Sequence, residues 1–502
     1  MSLENSPTDI AIIGMSALFP GAKDLSAYWQ NILNKVDAIQ EAPDKWAKPY
    51  FDPNSKENDR LYTRKGGFLG DLAEFNPIEF GVMPNSVEGS DPDHFLALKL
   101  ARDALADAGY AQKPFDGEKT GIILGRGTYI NRGFTNLLQH GLVVDQTLDL
   151  LRQLQPQLNG DTLSQIRKEL KASLLPFNAE MAPGIVPNVV TGRIANRLGL
   201  MGPNYIIDAA CSSSLVSVEL AIKELLSNRC DMMLAGGVHA PCPPPLNMMF
   251  CQIGALSHSD IRPFDKSADG TLLSEGLGIV VLKRLADAER DGDRIYAVVK
   301  GVGSSSDGKA LGLLAPRKEG EVLAIQRAYT ENGIDPDTVA LVEAHGTGIP
   351  LGDQTELRSL THVFGQRRGN LPHRALGSVK SMIGHCTIAA GAASLIKMAL
   401  ALYHKILPPT LCDEVNPALE IEKTSFYINN QTRPWIHSSQ QVPRRAGVNA
   451  FGFGGVNSHA VLEEYVGAST QQTKLLHHQW STELLLISGN SRTEVVDATL
   501  AL

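Results

Sequence analysis

The sequence contains no CxxC and no HExxH, so the common zinc arrangements are missing, and no GxxxxGK[ST], which removes a phosphate-cradling loop. Its apolar runs, such as LGIVVL at 277–282, stop far short of the ~20 residues a membrane-crossing helix needs. Cysteine is scarce. Six residues, Cys211, Cys230, Cys242, Cys251, Cys386 and Cys412, spread irregularly over 502 positions, do not make a disulfide framework and point to a reducing compartment. Positive charge is not in excess either: 46 Lys and Arg against 54 Asp and Glu give −8, which argues against coating nucleic acid or an anionic membrane. The opening MSLENSPTDIAIIGM carries Glu4 and Asp9 where a secretory signal would be basic, so a cytoplasmic location is expected.

What is present is an ordinary globular composition, 43% apolar and 20% charged. Short β-branched runs alternate with helix-period segments, the pattern of parallel sheets covered by helices. The strands expected are 10–15, 120–125, 205–208, 232–238, 278–285, 295–303 and 340–346, with helices over 94–109, 215–228 and 392–405. Residues 140–185 read as a helical insertion, a cap or interface element. PCPPPLN (241–247) reads as a rigid loop without regular structure. The pattern ends near 465. A polar connector over 466–482 follows, and 483–502 begins a new strand-then-helix pattern that stops abruptly, as in a piece of a longer polypeptide.

Four segments could carry chemistry. In DAACSSSLVSVELAIKELL a strand turns through small residues into a helix whose first turn begins at Cys211, where the dipole and free amides favour a thiolate. A buried structural cysteine is the alternative. In VEAHGTGIPLGD, His345 stands at a strand's carboxyl end, where ligands of α/β sheets bind. In LGSVKSMIGHCTIAAGAA, Lys380 precedes His385 by five residues, and a nearby cation tends to keep an imidazole neutral. In NAFGFGGVNSHAVLEEY, a glycine-dense turn can bring a backbone amide close to a reacting atom. GFGGVN lacks the third glycine of a dinucleotide loop, and a strand follows it. Together these suggest acyl transfer through a thioester, with two neutral donors for an enolate oxygen.

In this order the four motifs resemble those of a β-ketoacyl synthase, over about 9–465. IAIIGM and GRIANRLGLMGPNYIIDAAC strengthen the likeness. The stretch YTRKGGFLGDLAEFNPIEFGVMPNSVEGSDPDH and the tail LLLISGNSRTEVVDAT resemble a type I polyketide, polyunsaturated-fatty-acid or heterocyst-glycolipid type synthase. The resemblance implies a thiolase-like duplicated five-layer αβαβα fold, with halves at roughly 9–290 and 291–465, the 466–482 linker, and 483–502 as the start of a synthase-to-acyltransferase region.

It also implies roles. Cys211 takes the acyl chain, His345 and His385 serve malonyl decarboxylation and enolate stabilisation, and Lys380 sets the charge around His385. The amides of Cys211 and Phe453 form an oxyanion hole, the Phe453 ring gates the channel, and Phe451, Gly452, Gly454, Gly455 and Asn457 line it. The implied reaction is decarboxylative Claisen condensation, lengthening the chain by two carbons. The domain itself binds no cofactor and no metal. Substrates arrive on the phosphopantetheine of acyl carrier protein, and the expected partners are that carrier, a neighbouring acyltransferase domain and a second copy in a homodimer, with no nucleic acid and no membrane span. Carrier docking is expected on Arg317/Lys318, Arg367/Arg368 or Arg444/Arg445. Ser394 stands where stand-alone synthases have a glutamate, which puts a structural ion there in doubt. A coenzyme A-dependent thiolase-fold acyltransferase and a non-catalytic chain-length or gatekeeping partner are the alternatives.

Overall fold

A computed structural model describes residues 9–467, apart from 44, 45, 47, 56, 129, 130, 178, 180, 181, 311, 368, 370, 371 and 438–441, together with 487, 489 and 491–500. The chain divides into Met1–Tyr465 and Val466–Leu502. Of the second unit, a helix at Arg492–Leu500 is described, while the expected connector from 468 to 482 lies outside the described residues.

Eleven strands of the first unit form one sheet: β1 (Ile10–Leu18), β2 (Thr120–Gly125), β3 (Asn204–Ile207), β4 (Met232–His239), β5 (Gly276–Arg284), β6 (Ala297–Ser306), β7 (Val339–Glu343), β8 (Arg374–Gly377), β9 (Phe426–Ile428), β10 (Arg445–Gly452) and β11 (Val456–Glu463). Their order is β9-β8-β7-β10-β11-β6-β1-β5-β4-β2-β3. The helices that matter here are α1 (Leu25–Leu33), α2 (Asp93–Asp107), α3 (Arg132–Leu138), α4 (Val144–Leu154), α5 (Gly160–Ser173), α6 (Val189–Leu198), α7 (Ser213–Leu226), α8 (Pro244–Gln252), α9 (Lys318–Thr330), α10 (Pro350–Phe364) and α11 (Ala390–His404).

These elements stack in five layers. Helices α2 and α6 cover one side of the β1-to-β3 half, α7 and α11 fill the middle, and α9 and α10 cover the far side of the β6-to-β9 half. The middle layer touches both halves of the sheet, and α11 is buried from Ala390 to Leu402. Residues 387–404 are the one described helical stretch long and apolar enough to cross a membrane, and 89% of that stretch is buried within the protein.

β1 shows how a strand serves two layers. Ile10, Ile12, Met15 and Ala17 join the middle core while Ala11, Ile13 and Leu18 join the outer one. Strict alternation would put Met15 on the outer face, and a bulge between Ile12 and Gly14 against β5 resets the phase.

Three expectations need correction. The sheet is mixed: β1, β4 and β6 pair antiparallel with their β5, β5 and β11 neighbours, because hairpins and direct returns alternate with the helical crossovers. The proline run is not all loop, since α8 starts at Pro244, and prolines are tolerated in a first helical turn where no amide partner is needed. Helix is formed from Arg132, ahead of the expected 140. Helices α4 and α5 bury Val144, Leu148 and Leu163 in a small core of their own.

Candidate active site

β3 ends at Ile207 and α7 begins at Ser213. The short link forces Ala210 to φ +48°, a left-handed conformation that costs a non-glycine residue on the order of 1–3 kcal/mol. Side chains hold the strain in place. Asp208 accepts from the Ala210 amide (3.1 Å) and from the amide and hydroxyl of Thr128 (both 2.9 Å), and Ser213 Oγ accepts from the Ala209 amide (2.8 Å). The Ser212 hydroxyl reaches the carbonyls of Ala450 (2.8 Å) and Val456 (2.7 Å), locking the elbow to the β10–β11 hairpin. Gly452 is required by this approach: a Cβ there would meet the Ala209 carbonyl at 2.6 Å.

Cys211 sits on this turn, buried, with Sγ 3.2 Å from His385 Nε2. The amides of Cys211 and Phe453 lie beside the sulfur and favour its ionised form. The His345 ring lies 5.5 Å from that of His385, at 85°, and 5.7 Å from Phe451. Lys380, in the one-turn helix Lys380–Ile383, is buried behind them. Four residues from three distant segments are thus brought to one point.

A cavity of about 350 Å³ leads to this point, its wall including Phe451, Gly452, Phe453, Gly455 and Asn457. Gly454 is not part of that wall; its amide bonds the Leu313 carbonyl (3.3 Å). A second, mostly apolar cavity of about 210 Å³ opens on the other side of Cys211, among Leu246, Met249 and Ile388. The stacked rings of Phe250 and Phe453, 5.4 Å apart, belong to both walls and stand between them.

The electrostatics follow from burial. Desolvation first, and then the Lys380 ammonium, push both His345 and His385 well below the usual histidine range, so both rings are neutral. Burial also pulls Lys380 down, opposed by the carboxylates of Glu343 and Glu356. The thiolate expected at Cys211 does not form at rest. Burial outweighs Lys380 and the two amides and pushes the thiol up to about 11, because a dry pocket penalises the charged form more than one helix end repays.

Several supporting residues went unnoticed in the sequence. Glu356 accepts from the amides of His345 (2.6 Å) and Gly346 (2.8 Å) and from Asn449 (2.7 Å), and Asp353 accepts from Thr347 (3.1 Å) and Phe264 (2.9 Å). Their signal was available: two acids three apart in the first turns of α10, a place where backbone donors are free. Glu343 ends β7 and pairs with Lys397 at 2.6 Å, both fully buried. Ser394, one turn before Lys397, has no hydrogen-bond partner among the described residues. Lys397 Nζ donates to the Glu343 carboxylate. No group of three His, Cys, Asp or Glu residues among those described could hold a metal.

The three basic pairs differ. Arg444 and Arg445 are tied to Glu464 and Glu463 and are largely buried, which removes them as docking cations. Arg367 bonds the Glu422 carbonyl (3.1 Å), and Arg368 lies outside the described residues. Arg317, which directly follows the wall residues Leu313 to Pro316, is also paired, with Glu319 at 3.2 Å, but is more exposed than Arg444 and Arg445.

Comparison with known proteins gives the family. The N-terminal domain model of β-ketoacyl synthase matches residues 8–288, its C-terminal domain model 296–412, and a ketoacyl-synthetase C-terminal extension 416–501. The chain is 38% identical over 480 residues to polyketide synthase PksN of Bacillus subtilis, covering 93% of this chain and 8% of that protein. It is 35% identical over 468 residues to polyketide synthase PksL of the same organism, covering 92% of this chain and 9% of that protein. A polyunsaturated fatty acid synthase chain of Thraustochytrium is 39% identical over 468 residues, covering 91% of this chain and 16% of that protein. Among solved structures, the ketosynthase from module 6 of the Bacillus subtilis bacillaene synthase superposes with a TM-score of 0.76 at 34% identity, over 92% of this chain and 73% of that one. The chain spans a small fraction of the curated relatives it matches. It belongs to the β-ketoacyl synthase family and has the thiolase-like fold and acyl-transferring, condensing character of a ketosynthase domain.

Proposed function

We propose that this domain condenses a Cys211-bound acyl chain with a malonyl-type thioester carried on acyl carrier protein phosphopantetheine. The observation that carries the reading is Cys211 Sγ at the junction of two cavities, 3.2 Å from a neutral His385 and beneath two amides.

In the first half-reaction the sulfur attacks the incoming thioester carbonyl. The new S–C bond forms, the pantetheine S–C bond breaks, and the Cys211 proton leaves with the pantetheine thiol. Because the resting thiol is protonated, His385 Nε2 is the group placed to take that proton as attack begins. The amides of Cys211 and Phe453 then hold the carbonyl oxygen as it becomes anionic.

In the second half-reaction the malonyl carboxylate leaves as CO₂ and its bonding pair enters an enolate. His345 and His385, neutral and nearly perpendicular, can each donate one N–H to the enolate oxygen. The α-carbon attacks the acyl carbonyl, the Cys211 S–C bond breaks and the sulfur takes up a proton from water to return to the resting thiol, leaving a β-keto thioester two carbons longer. Lys380 keeps both rings uncharged and so keeps them as balanced donors.

Carrier docking at Arg317/Lys318 fits the cavity mouth, and a neighbouring acyltransferase domain would supply the extender. A homodimer fits the sheet, since β3 at its end has one edge without a strand partner among the described residues. A cytoplasmic setting suits six cysteines that form no disulfide.

Two variants separate the half-reactions. Cys211→Ala is expected to abolish acyl loading and to keep malonyl decarboxylation, whereas His345→Ala, which leaves the Cys211–His385 contact in place, keeps loading and loses decarboxylation. Loss of both half-reactions in both folded variants would overturn the roles.

A further inference from the structure

A third cavity, about 490 Å³, lies beyond the proline run after β4, walled by Val238, Pro241, Pro243, Pro245 and Leu175. Pro245 also belongs to the apolar cavity beneath Cys211, so the two adjoin. The far wall is charged. Arg126, directly after β2, is only 3% exposed; its Nε donates to Asp93 (2.8 Å) and its Nη2 to Asp91 (2.8 Å) and Asp93 (3.2 Å). Its Nη1 has no hydrogen-bond partner among the described residues. A buried charged donor left unpaired is a standing cost, and such groups are seldom retained without a partner.

We propose that this cavity receives the far end of the Cys211-bound acyl chain and that Arg126 Nη1 donates to a neutral oxygen, a hydroxyl or ketone, borne there. The inference rests on the condensation reading above. A neutral oxygen is favoured over a carboxylate because Asp91 and Asp93 already flank the guanidinium and would repel a further negative charge. Arg132 and His239 also line the cavity, Arg132 giving its amide to Asp91 (2.9 Å). The prolines fix the width of the passage, since their rings cannot rotate out of it. A site built to bond an oxygen rejects the analogue lacking it far more strongly than an apolar pocket rejects an added one.

The test measures Cys211 acylation by intact-protein mass from pantetheine thioesters of matched length, either plain hydrocarbon or carrying one hydroxyl or ketone moved along the chain. Wild type is expected to prefer the oxygenated chain at least tenfold at one position, and Arg126→Met to erase that preference while acetyl transfer, which does not reach the cavity, is unchanged. Because that variant strands two carboxylates, Thr135→Trp is the second probe. Thr135 is an exposed wall residue, and the indole should slow both long chains at least tenfold without touching acetyl transfer. Equal rates for both chains at every position, or long-chain loading in Thr135→Trp at the wild-type rate, would overturn the proposal. Absence of acetyl transfer in wild type would instead bring down the condensation reading, and this one with it.

Discussion

The protonated resting state of Cys211 can be tested directly through its reactivity. With the thiol pushed up to about 11 rather than 9.0, about one molecule in 10⁴ carries a thiolate at pH 7, against about one in 10² for an ordinary cysteine. Alkylation requires the thiolate. The rate of iodoacetamide labelling at Cys211, followed by intact mass with Cys211→Ser as the background, should therefore rise about tenfold per pH unit from 6 to 9.5 without levelling. Lys380→Met should lower it further at every pH, since the Lys380 charge is the largest influence favouring the thiolate. A plateau at or below pH 8 would refute the reasoning, for it would mean a standing thiolate–imidazolium pair and hence a charged His385, incompatible with the depressed histidine and its role as a neutral donor.

Other consequences are equally direct. Burial holds Glu321 up to about 8 against an ordinary 4.5, so the folded chain keeps a proton that the unfolded chain releases, and stability falls as pH rises between those values by at most about 1.4 kcal/mol per unit. Glu321→Gln should flatten that slope in Tm measured from pH 5 to 8; an unchanged slope would sink the assignment. Lys397→Met strands the buried Glu343 carboxylate and should cost about 3–5 kcal/mol in urea unfolding, with Glu343→Gln added in the double variant recovering part of it. Reversing Arg317 and Lys318 to glutamate should slow transacylation from the acidic carrier and weaken its salt dependence, while small pantetheine thioesters react as before; no change in either removes that pair from docking.

Much of the site was legible because its chemistry lies in short segments whose turns are locally encoded. The small residues before Cys211 announce the elbow, and the glycines around Phe453 announce the hairpin that closes on it. What could not be read were quantities set by distant partners. The pairing of β1 with β5 depends on residues nearly the whole first half apart, so the mixed sheet gave no periodic signal. The protonation of Cys211 depends on how dry its pocket is, which helix position alone does not say. The Glu343–Lys397 pair joins a strand end to a helix 54 residues later, and neither residue is unusual by itself. A helix before 140 has no signal in the sequence, because α3, with Asn131 as its cap, carries too few buried residues to show an apolar stripe.

The middle layer has a consequence for when this protein can act at all. Cys211 and His385 are 174 residues apart, one delivered by α7 and the other just before α11, and the Ser214 hydroxyl bonds the Ala392 amide (2.9 Å) where the two helices meet. Neither half of the sheet owns the reaction centre; it comes into existence only when the second half docks onto the first. An acyl label on Cys211 is therefore also a maturation assay, and a ribosome-bound chain released short of α11 would be inert however well its first half had folded.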